Sequence, residues 1–573
     1  MKKEFERWLY SDKVDVDTQK ILLSIQNNED AIAERFAIPM SFGTAGLRST
    51  MDVGISKMNV YTVGQTTQGL AELVISADGC ERGVAVCYDS RNNSELFAKT
   101  AASVLTANGI KVYLFDGIRP TPELSFAILH YNCIAGINIT ASHNPKEYNG
   151  YKVYWEDGAQ LPPEHASVVS AKAAATDIFE GVKKMDLDEA KAKGLLVIIG
   201  EECDEAFLNA VLDCRLDSEN TVKYGNSVGL AYTALHGTGY KLVPEVLKRC
   251  GIDKLITIDS QMIPDGDFPT VASPNPENRE CFEEAVKKLD ELGVDCGAII
   301  ATDPDADRIG LAIKNDKGEF FALNGNQIGA LLIDHIIRIR KRTGNMPANA
   351  CAIKSVVSSN LFDAICEKNG VDHISVLTGF KYIGEKIKEW TADGSKTFIF
   401  GYEESQGYLS AGYARDKDAV AGSMLAAEMV CSHYAEGRTV YQALQNIYAE
   451  YGIYRESVLN VKITGIDPMG LMGETMADVR GRRIDTIGGK KVTAVRDYAT
   501  GIIKYADGTE APTGLPESNM LYYELEGGSA VIIRPSGTEP KIKAYILARA
   551  ESDSEADALI AACTDDAKAL LSK

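Results

Sequence analysis

The chain has 573 residues, a formal net charge of −21, 45% hydrophobic and 25% charged residues. That length exceeds what one hydrophobic core supports, so three or four domains are expected, and the composition is that of an ordinary soluble globular protein without the polar excess of disorder. The negative balance argues against nucleic acid or an anionic membrane as partner, and any anionic substrate must be met by locally gathered basic residues.

The first residues, MKKEFERWLY, are charged and lack the apolar core of a signal peptide, and no later run reaches the length of a membrane span, which predicts a cytoplasmic protein. The 12 cysteines are scattered without a C-x-x-C pair, a reduced usage that is neither a disulfide framework nor a zinc site. The oligomeric state has no signature. Residues 1 to about 40 read as helices of mixed charge. In Ser41-Phe42-Gly43-Thr44-Ala45-Gly46-Leu47-Arg48, two glycines permit close backbone approach and Arg48 supplies a fixed positive charge. Strands are expected at 83–90 and 110–115 around a helix over 94–108, which points to an α/β domain.

This alternation leads to GINITASHNPKEYNGYKVY, residues 136–154. Ile137 and Ile139 mark a short strand, Pro145 turns Asn144 away from helix, Asn149-Gly150 signals a turn, and a second strand resumes at Tyr151. Ser142 is thereby presented on a loop, either as a nucleophile or as the cap of a turn. A charged helical stretch follows and closes on a helix at 204–214.

A second unit opens with a strand over 228–235 and His236-Gly237-Thr238-Gly239, passes a Pro-rich loop at 265–277 and a helix at 279–292, and reaches a strand at 297–301. Directly after it stands Thr302-Asp303-Pro304-Asp305-Ala306-Asp307-Arg308, three carboxylates at every second position. A flat strand would separate them by roughly 6.6 Å, whereas neighbouring ligands on an ion bound at about 2.1 Å lie only about 3 Å apart, so the segment must curl if it holds one. Arg308 and Lys314 stand where an EF-hand needs Gly and Glu, so Mg2+ fits better than calcium. The other reading is a solvated acidic loop. Arg308 can relieve the excess negative charge.

A third unit opens with a helix over 326–338 and runs to Gly401-Tyr402-Glu403-Glu404-Ser405-Gln406-Gly407. Glu403 and Ser405 share one side if the chain stays extended, and offer groups that hold sugar hydroxyls; paired glutamates are also a common solvated face. Lys381 and Arg415-Asp416-Lys417-Asp418 are placed to contact a second phosphate or to move protons. The last unit, from about 454, carries strands at 458–464, 530–534 and 541–548 and a closing helix. Its loop Arg534-Pro535-Ser536-Gly537-Thr538-Glu539-Pro540-Lys541 reads as a phosphate cradle of backbone N–H groups, hydroxyls and a forked guanidinium, or as a tight turn with an incidental Arg. No P-loop and no G-x-S-x-G around Ser142 occur.

Together these segments resemble the α-D-phosphohexomutases. TASHNPKEYNGYK is similar to the family's phosphoserine loop, DPDADR to its magnesium loop, GYEES to its sugar-recognition loop and RPSGTEPK to its phosphate-binding loop, in the family's order. The resemblance implies three similar α/β domains (1–215, 216–323, 324–453) and a smaller C-terminal α+β domain (454–573) around a central cleft. It makes Ser142 the phosphoserine, which with Asp303, Asp305 and Asp307 holds Mg2+. Glu403, Ser405, Lys417, Arg534, Ser536, Gly537 and Thr538 become substrate contacts. Arg48, His143, Lys152 and Lys381 join Ser142 in catalysis, with Lys152 or Lys381 ahead of His143 as general base. E-E-S-x-G is similar to the phosphoglucomutase and phosphopentomutase branch, whereas Ala419 departs from the commoner D-K-D-G. The implied activity is an isomerase interconverting glucose 1-phosphate and glucose 6-phosphate through glucose 1,6-bisphosphate. Pentose or mannose phosphates remain alternative substrates, and a metal-dependent sugar phosphatase or a non-catalytic sensor remain alternative functions.

Overall fold

A computed structural model describes residues 1–40, 42–43, 46–464, 467–536 and 541–572. The chain divides into two compact units, one of residues 1–322 and 407–435, the other of residues 323–406 and 436–573. No helix among the described residues is long and apolar enough to cross a membrane.

In the first unit, three short helices (Lys2–Leu9, Val16–Ile25, Glu29–Phe36) lead in, the second and third started by the side-chain caps Asp15 and Asn28. They bury Trp8 edge-on against Phe36 and Tyr61. A six-stranded sheet follows in the order Gly46–Thr50, Tyr148–Trp155, Ala135–Ile139, Val84–Tyr88, Val112–Phe115, Leu196–Ile199. Its last four strands run parallel, and every residue of Val84–Tyr88 and Ala135–Ile139 is buried, as strands covered on both faces must be.

The structure departs from the sequence expectation at two places in this sheet. Asn149-Gly150 lies inside the strand Tyr148–Trp155, paired with Ser49 and Arg48, and the chain reverses before it, over 142–147. Asn149 donates from Nδ2 to Ser94 Oγ (3.0 Å) and Asn92 O (3.1 Å), while its Oδ1 accepts the Gly150 N–H (2.7 Å), so its amide ties this strand to the 92–94 segment. Gly150 is required by close approach, since a Cβ there would stand 2.5 Å from Thr140 O and 2.9 Å from Leu47 O. The stretch between Trp155 and the helix Glu201–Leu212, expected to be helical, also contains the short edge strand Leu196–Ile199.

The second sheet of this unit has the order Phe320–Ala322, Ile309–Lys314, Ala298–Thr302, Leu230–Thr233, Ile256–Thr257. Ala298–Thr302 is wholly buried and joins Ile309–Lys314 as an antiparallel hairpin, with Thr302 opposite Ile309. The carboxylate segment is the loop of that hairpin. The helix Ala419–Ala435 is buried from Ala419 to His433, as an apolar-all-round helix must be, and Gly422 lets it approach Ile309.

In the second unit, Asp372–Val376, Ala350–Ser355 and Thr397–Glu403 pair in parallel. The helix Gly325–Thr343 beside them starts with an Asn324–Gln327 capping box and ends at Gly344 with φ +72°. The remainder is an antiparallel sheet in the order Ile453–Lys462, Lys541–Ala550, Ala530–Pro535, Leu521–Leu525, Lys490–Asp497, Ile502–Tyr505, Glu510–Pro512. Helices Pro468–Gly481 and Asp553–Leu571 pack their apolar residues into its core.

Candidate active site

The strand Ala135–Ile139 delivers Ser142 with φ +53°, a left-handed conformation that few non-glycine residues adopt. Its N–H donates to Thr140 Oγ1 at 2.8 Å. The expectation of a presented hydroxyl does not hold: Ser142 is 3% exposed. Its Oγ donates to Asp303 Oδ2 at 2.8 Å and lies 3.2 Å from His143 Nδ1, so neighbours on both sides close over it.

Asp303, Asp305 and Asp307 are buried, with one carboxylate oxygen from each lying within 4.8 Å of the others. The curl needed to gather them comes from the hairpin loop, in which Ala306 takes φ +47° and Asp303 Oδ1 accepts the N–H groups of Asp307 (3.1 Å) and Arg308 (3.0 Å). Asp305 Oδ2 accepts from Thr121 Oγ1 (2.8 Å) and Lys152 Nζ (2.7 Å), and Asp307 Oδ2 lies 2.8 Å from Lys417 Nζ. Arg308 Nε stands 3.9 Å from Asp303 and 3.7 Å from Asp307. Arg48, further out, donates to Asn144 Oδ1 at 3.3 Å.

Burial and the two neighbouring carboxylates push the Asp303 carboxyl well above its usual range. Burial acts on Asp305 in the same direction, but Lys152, Lys417 and the Thr121 hydrogen bond outweigh it and hold that carboxylate ionised. Burial would lower Lys152, yet Asp305 and Asp307 prevail and its ammonium is held charged. His143 is driven well below its usual value by burial first and then by Arg308 and Arg48.

This donor set fits a hard divalent cation. All three groups are carboxylates, and the buried Oδ1 atoms of Asp305 and Asp307 have no hydrogen-bond partner among the described residues. Solvated acidic loops do not have that character.

The other expected site residues belong to the second unit. Glu403 ends the strand Thr397–Glu403, and its Oε1 accepts the Gly379 N–H at 2.7 Å. The chain turns at once over 404–406, with Gln406 at φ +64°, so the extended geometry assumed for Glu403 and Ser405 is absent. Lys381 Nζ lies over the Tyr382 ring at 5.2 Å. Arg534 pairs with Lys543 near the end of the strand Ala530–Pro535, its Nε buried without a hydrogen-bond partner among the described residues, and the Ser536 N–H donates to Lys541 O at 2.8 Å. Gly537 and Thr538 lie outside the described residues.

Sequence reasoning missed Arg91, Thr121 and Asn138. Arg91 grips the Ser142 loop, and Asn138 Nδ2 donates at 2.6 Å to the Thr121 hydroxyl that holds Asp305. A signal existed for Arg91, a cation just past the end of a buried strand, where α/β sheets build their sites.

Three consecutive stretches match the α/β/α domains I, II and III of phosphoglucomutase/phosphomannomutase, at residues 39–178, 205–318 and 324–451. The chain belongs to this family. Among phosphohexomutase relatives, a phosphoglucomutase of Staphylococcus haemolyticus is 35% identical over 89% of this chain and 90% of that one. One of Staphylococcus epidermidis is 34% identical over 93% and 95%. A putative phosphomannomutase structure from Thermus thermophilus shares the fold, with TM-score 0.67 and 23% identity over 93% of this chain and 99% of that one.

Proposed function

We propose that this phosphohexomutase is an isomerase that interconverts glucose 1-phosphate and glucose 6-phosphate, with Ser142 as the phosphate carrier. The observation that carries the reading is the Ser142 hydroxyl 2.8 Å from Asp303 in a buried triplet of carboxylates. The names of the relatives at 34–35% identity support glucose as the sugar.

Asp303, Asp305, Asp307 and the Ser142 oxygen would hold Mg2+, which supplies charge neutralisation for a phosphoserine carrying about −1.5 to −2 at neutral pH. The chain's own residues do the rest, since phosphoryl transfer asks mainly for in-line positioning and charge stabilisation. The free hydroxyl of the sugar monophosphate attacks the phosphorus on Ser142, the bond to Ser142 Oγ breaks, and the sugar becomes glucose 1,6-bisphosphate. Reversal at the other phosphate returns a phosphoryl group to Ser142 and releases the isomer. The attacking hydroxyl must lose a proton, and Lys152, Lys381 and His143 are the candidates to take it; burial with Arg308 and Arg48 lowers His143 whereas Asp305 and Asp307 raise Lys152, which favours His143 over Lys152 and keeps Lys381 as the other candidate. Lys152 and Lys417 instead fix Asp305 and Asp307.

To Glu403 and Ser405 we assign the sugar hydroxyls, and to Arg534, Ser536, Gly537 and Thr538 the phosphate that is not reacting. The working division into domains is 1–215, 216–323, 324–453 and 454–573. A coupled assay comparing glucose 1-phosphate, mannose 1-phosphate and ribose 1-phosphate, with inorganic phosphate followed in parallel, tests the reading. Glucose 1-phosphate should give the highest kcat/KM without phosphate release. Stoichiometric phosphate release would assign a phosphatase instead.

A further inference from the structure

The loop that carries Ser142 turns its carbonyls onto one buried guanidinium. Arg91 donates from Nη2 to Ser142 O (2.6 Å) and Asn144 O (2.5 Å), and from Nη1 to Pro145 O (2.9 Å) and Tyr148 O (3.1 Å). A carbonyl-to-guanidinium fork of this kind suits Arg, whose planar donors are fixed relative to one another, and is beyond an ammonium group. Arg91 is itself held: its Nε lies 3.3 Å from Asp89 Oδ2 with both side chains fully buried, and Asp89 Oδ1 accepts the Arg91 N–H and the Ser94 hydroxyl.

The Pro-rich segment 265–277 covers this arrangement from the other side. The Phe268 ring centroid lies 5.0 Å from Arg91 Cζ, and Ser273 Oγ donates to His143 O at 3.0 Å. Phe268 adopts φ +45°, a costly conformation for a bulky residue. Gly266 lies so close to the Arg91 loop that a Cβ would stand 2.4 Å from Asn92 N. Among the described residues, the positive-φ positions that are neither Gly, Asn nor Asp are Ser142, Leu235, His236, Phe268, Ala306 and Gln406. Ser142 and Ala306 are in the reacting loops, and Phe268 is in the segment covering Arg91. Such strain persists only where surrounding contacts over-determine it.

We propose that Arg91 is a positioning residue for phosphoryl transfer, holding the Ser142 turn in its left-handed form, and that Phe268 and Ser273 lock that hold from the 265–277 segment. The inference rests on Ser142 being the phosphate carrier. Arg91 reaches the backbone side of the loop, so its loss should misplace the Ser142 oxygen without removing a substrate contact. A misplacement of about 1 Å costs on the order of 100-fold in rate.

The test is single-turnover transfer from phosphorylated enzyme to glucose 6-phosphate, normalised to the amount of phosphoserine, for the unaltered chain, Arg91→Lys and Ser273→Ala. Arg91→Lys should lower the transfer rate per phosphorylated site about tenfold or more while the KM for glucose 1-phosphate stays within about threefold, because no group that touches substrate has changed. Ser273→Ala, a milder change, should lower that rate about threefold and serves if Arg91→Lys fails to fold. A merely structural role would reduce folded enzyme but leave the rate per phosphorylated site intact, and that result in either variant overturns the proposal. If the unaltered chain never carries phosphate on Ser142, the phosphoserine reading fails instead.

Discussion

Ser142 and Asp303 are 161 positions apart in sequence, yet the hydroxyl of one donates to the carboxylate of the other at 2.8 Å. A strand end in one sheet and a hairpin loop in another are thus joined through the two side chains on which phosphate and cation chemistry would meet. The cost of burying three carboxylates together is visible in Asp303, whose carboxyl is pushed upward, while Lys152 and Lys417 keep Asp305 and Asp307 paired.

The three carboxylates should therefore respond differently to neutralisation. In chelator at neutral pH, Asp303→Asn should cost less stability than Asp305→Asn, because burial and the two neighbouring carboxylates already oppose a charge at Asp303. Asp305→Asn should destabilise the chain by about 3 kcal/mol by leaving Lys152 buried without its closest counter-charge. Both substitutions should abolish the rise in midpoint that millimolar Mg2+ gives the unaltered chain. Equal losses in chelator, or an undiminished Mg2+ response, would contradict the assignment.

A pH dependence follows from Glu428 in the helix Ala419–Ala435. It accepts the N–H groups of Leu216 (3.1 Å) and Asp217 (3.4 Å), and burial raises its pKa from 4.5 to about 7. The native state thus binds more protons than the unfolded state between those values, so this group's contribution is full below the unfolded pKa and is lost as pH rises through about 7. Glu428→Gln stays neutral and keeps an acceptor. Its midpoint relative to the unaltered chain should rise between about pH 5 and pH 8, and parallel curves over that range would refute the assignment.

Gly150→Ala should cost on the order of 2 kcal/mol or more, since its Cβ meets two backbone oxygens beside the Ser142 loop. Gly473→Ala is the matched control, with nothing within 4 Å and a helical backbone, and should stabilise by about 0.5–1 kcal/mol. Denaturant unfolding of the two variants measures both signs.

Much of the scaffold was legible because buried strands leave short apolar patterns: Val84–Tyr88 and residues 298–301 as continuous apolar runs, and Ala135–Ile139 by the alternation of Ile137 and Ile139. The carboxylate triplet was legible because spacing alone demanded a curl, and the hairpin loop supplies it. Leu196–Ile199 escaped because four residues after a charged helix carry too little periodicity to separate strand from helix. Asn149-Gly150 misled because the same dipeptide serves a turn or a close backbone approach, and only the neighbouring chain decides which. The burial of Ser142 and the grip of Arg91 depend on partners brought together by tertiary structure, which local pattern does not encode.

The central claim is that Ser142 carries phosphate between the two positions of the sugar. Its most direct measurement is peptide mass analysis of the protein after incubation with glucose 1,6-bisphosphate and Mg2+, then after a chase with excess glucose 6-phosphate. The account predicts one phosphoryl group on the peptide containing Ser142, lost in the chase at a rate no slower than turnover, and neither phosphorylation nor turnover in Ser142→Ala. Undiminished turnover by Ser142→Ala, or phosphate on another residue that exchanges at the turnover rate, would contradict it.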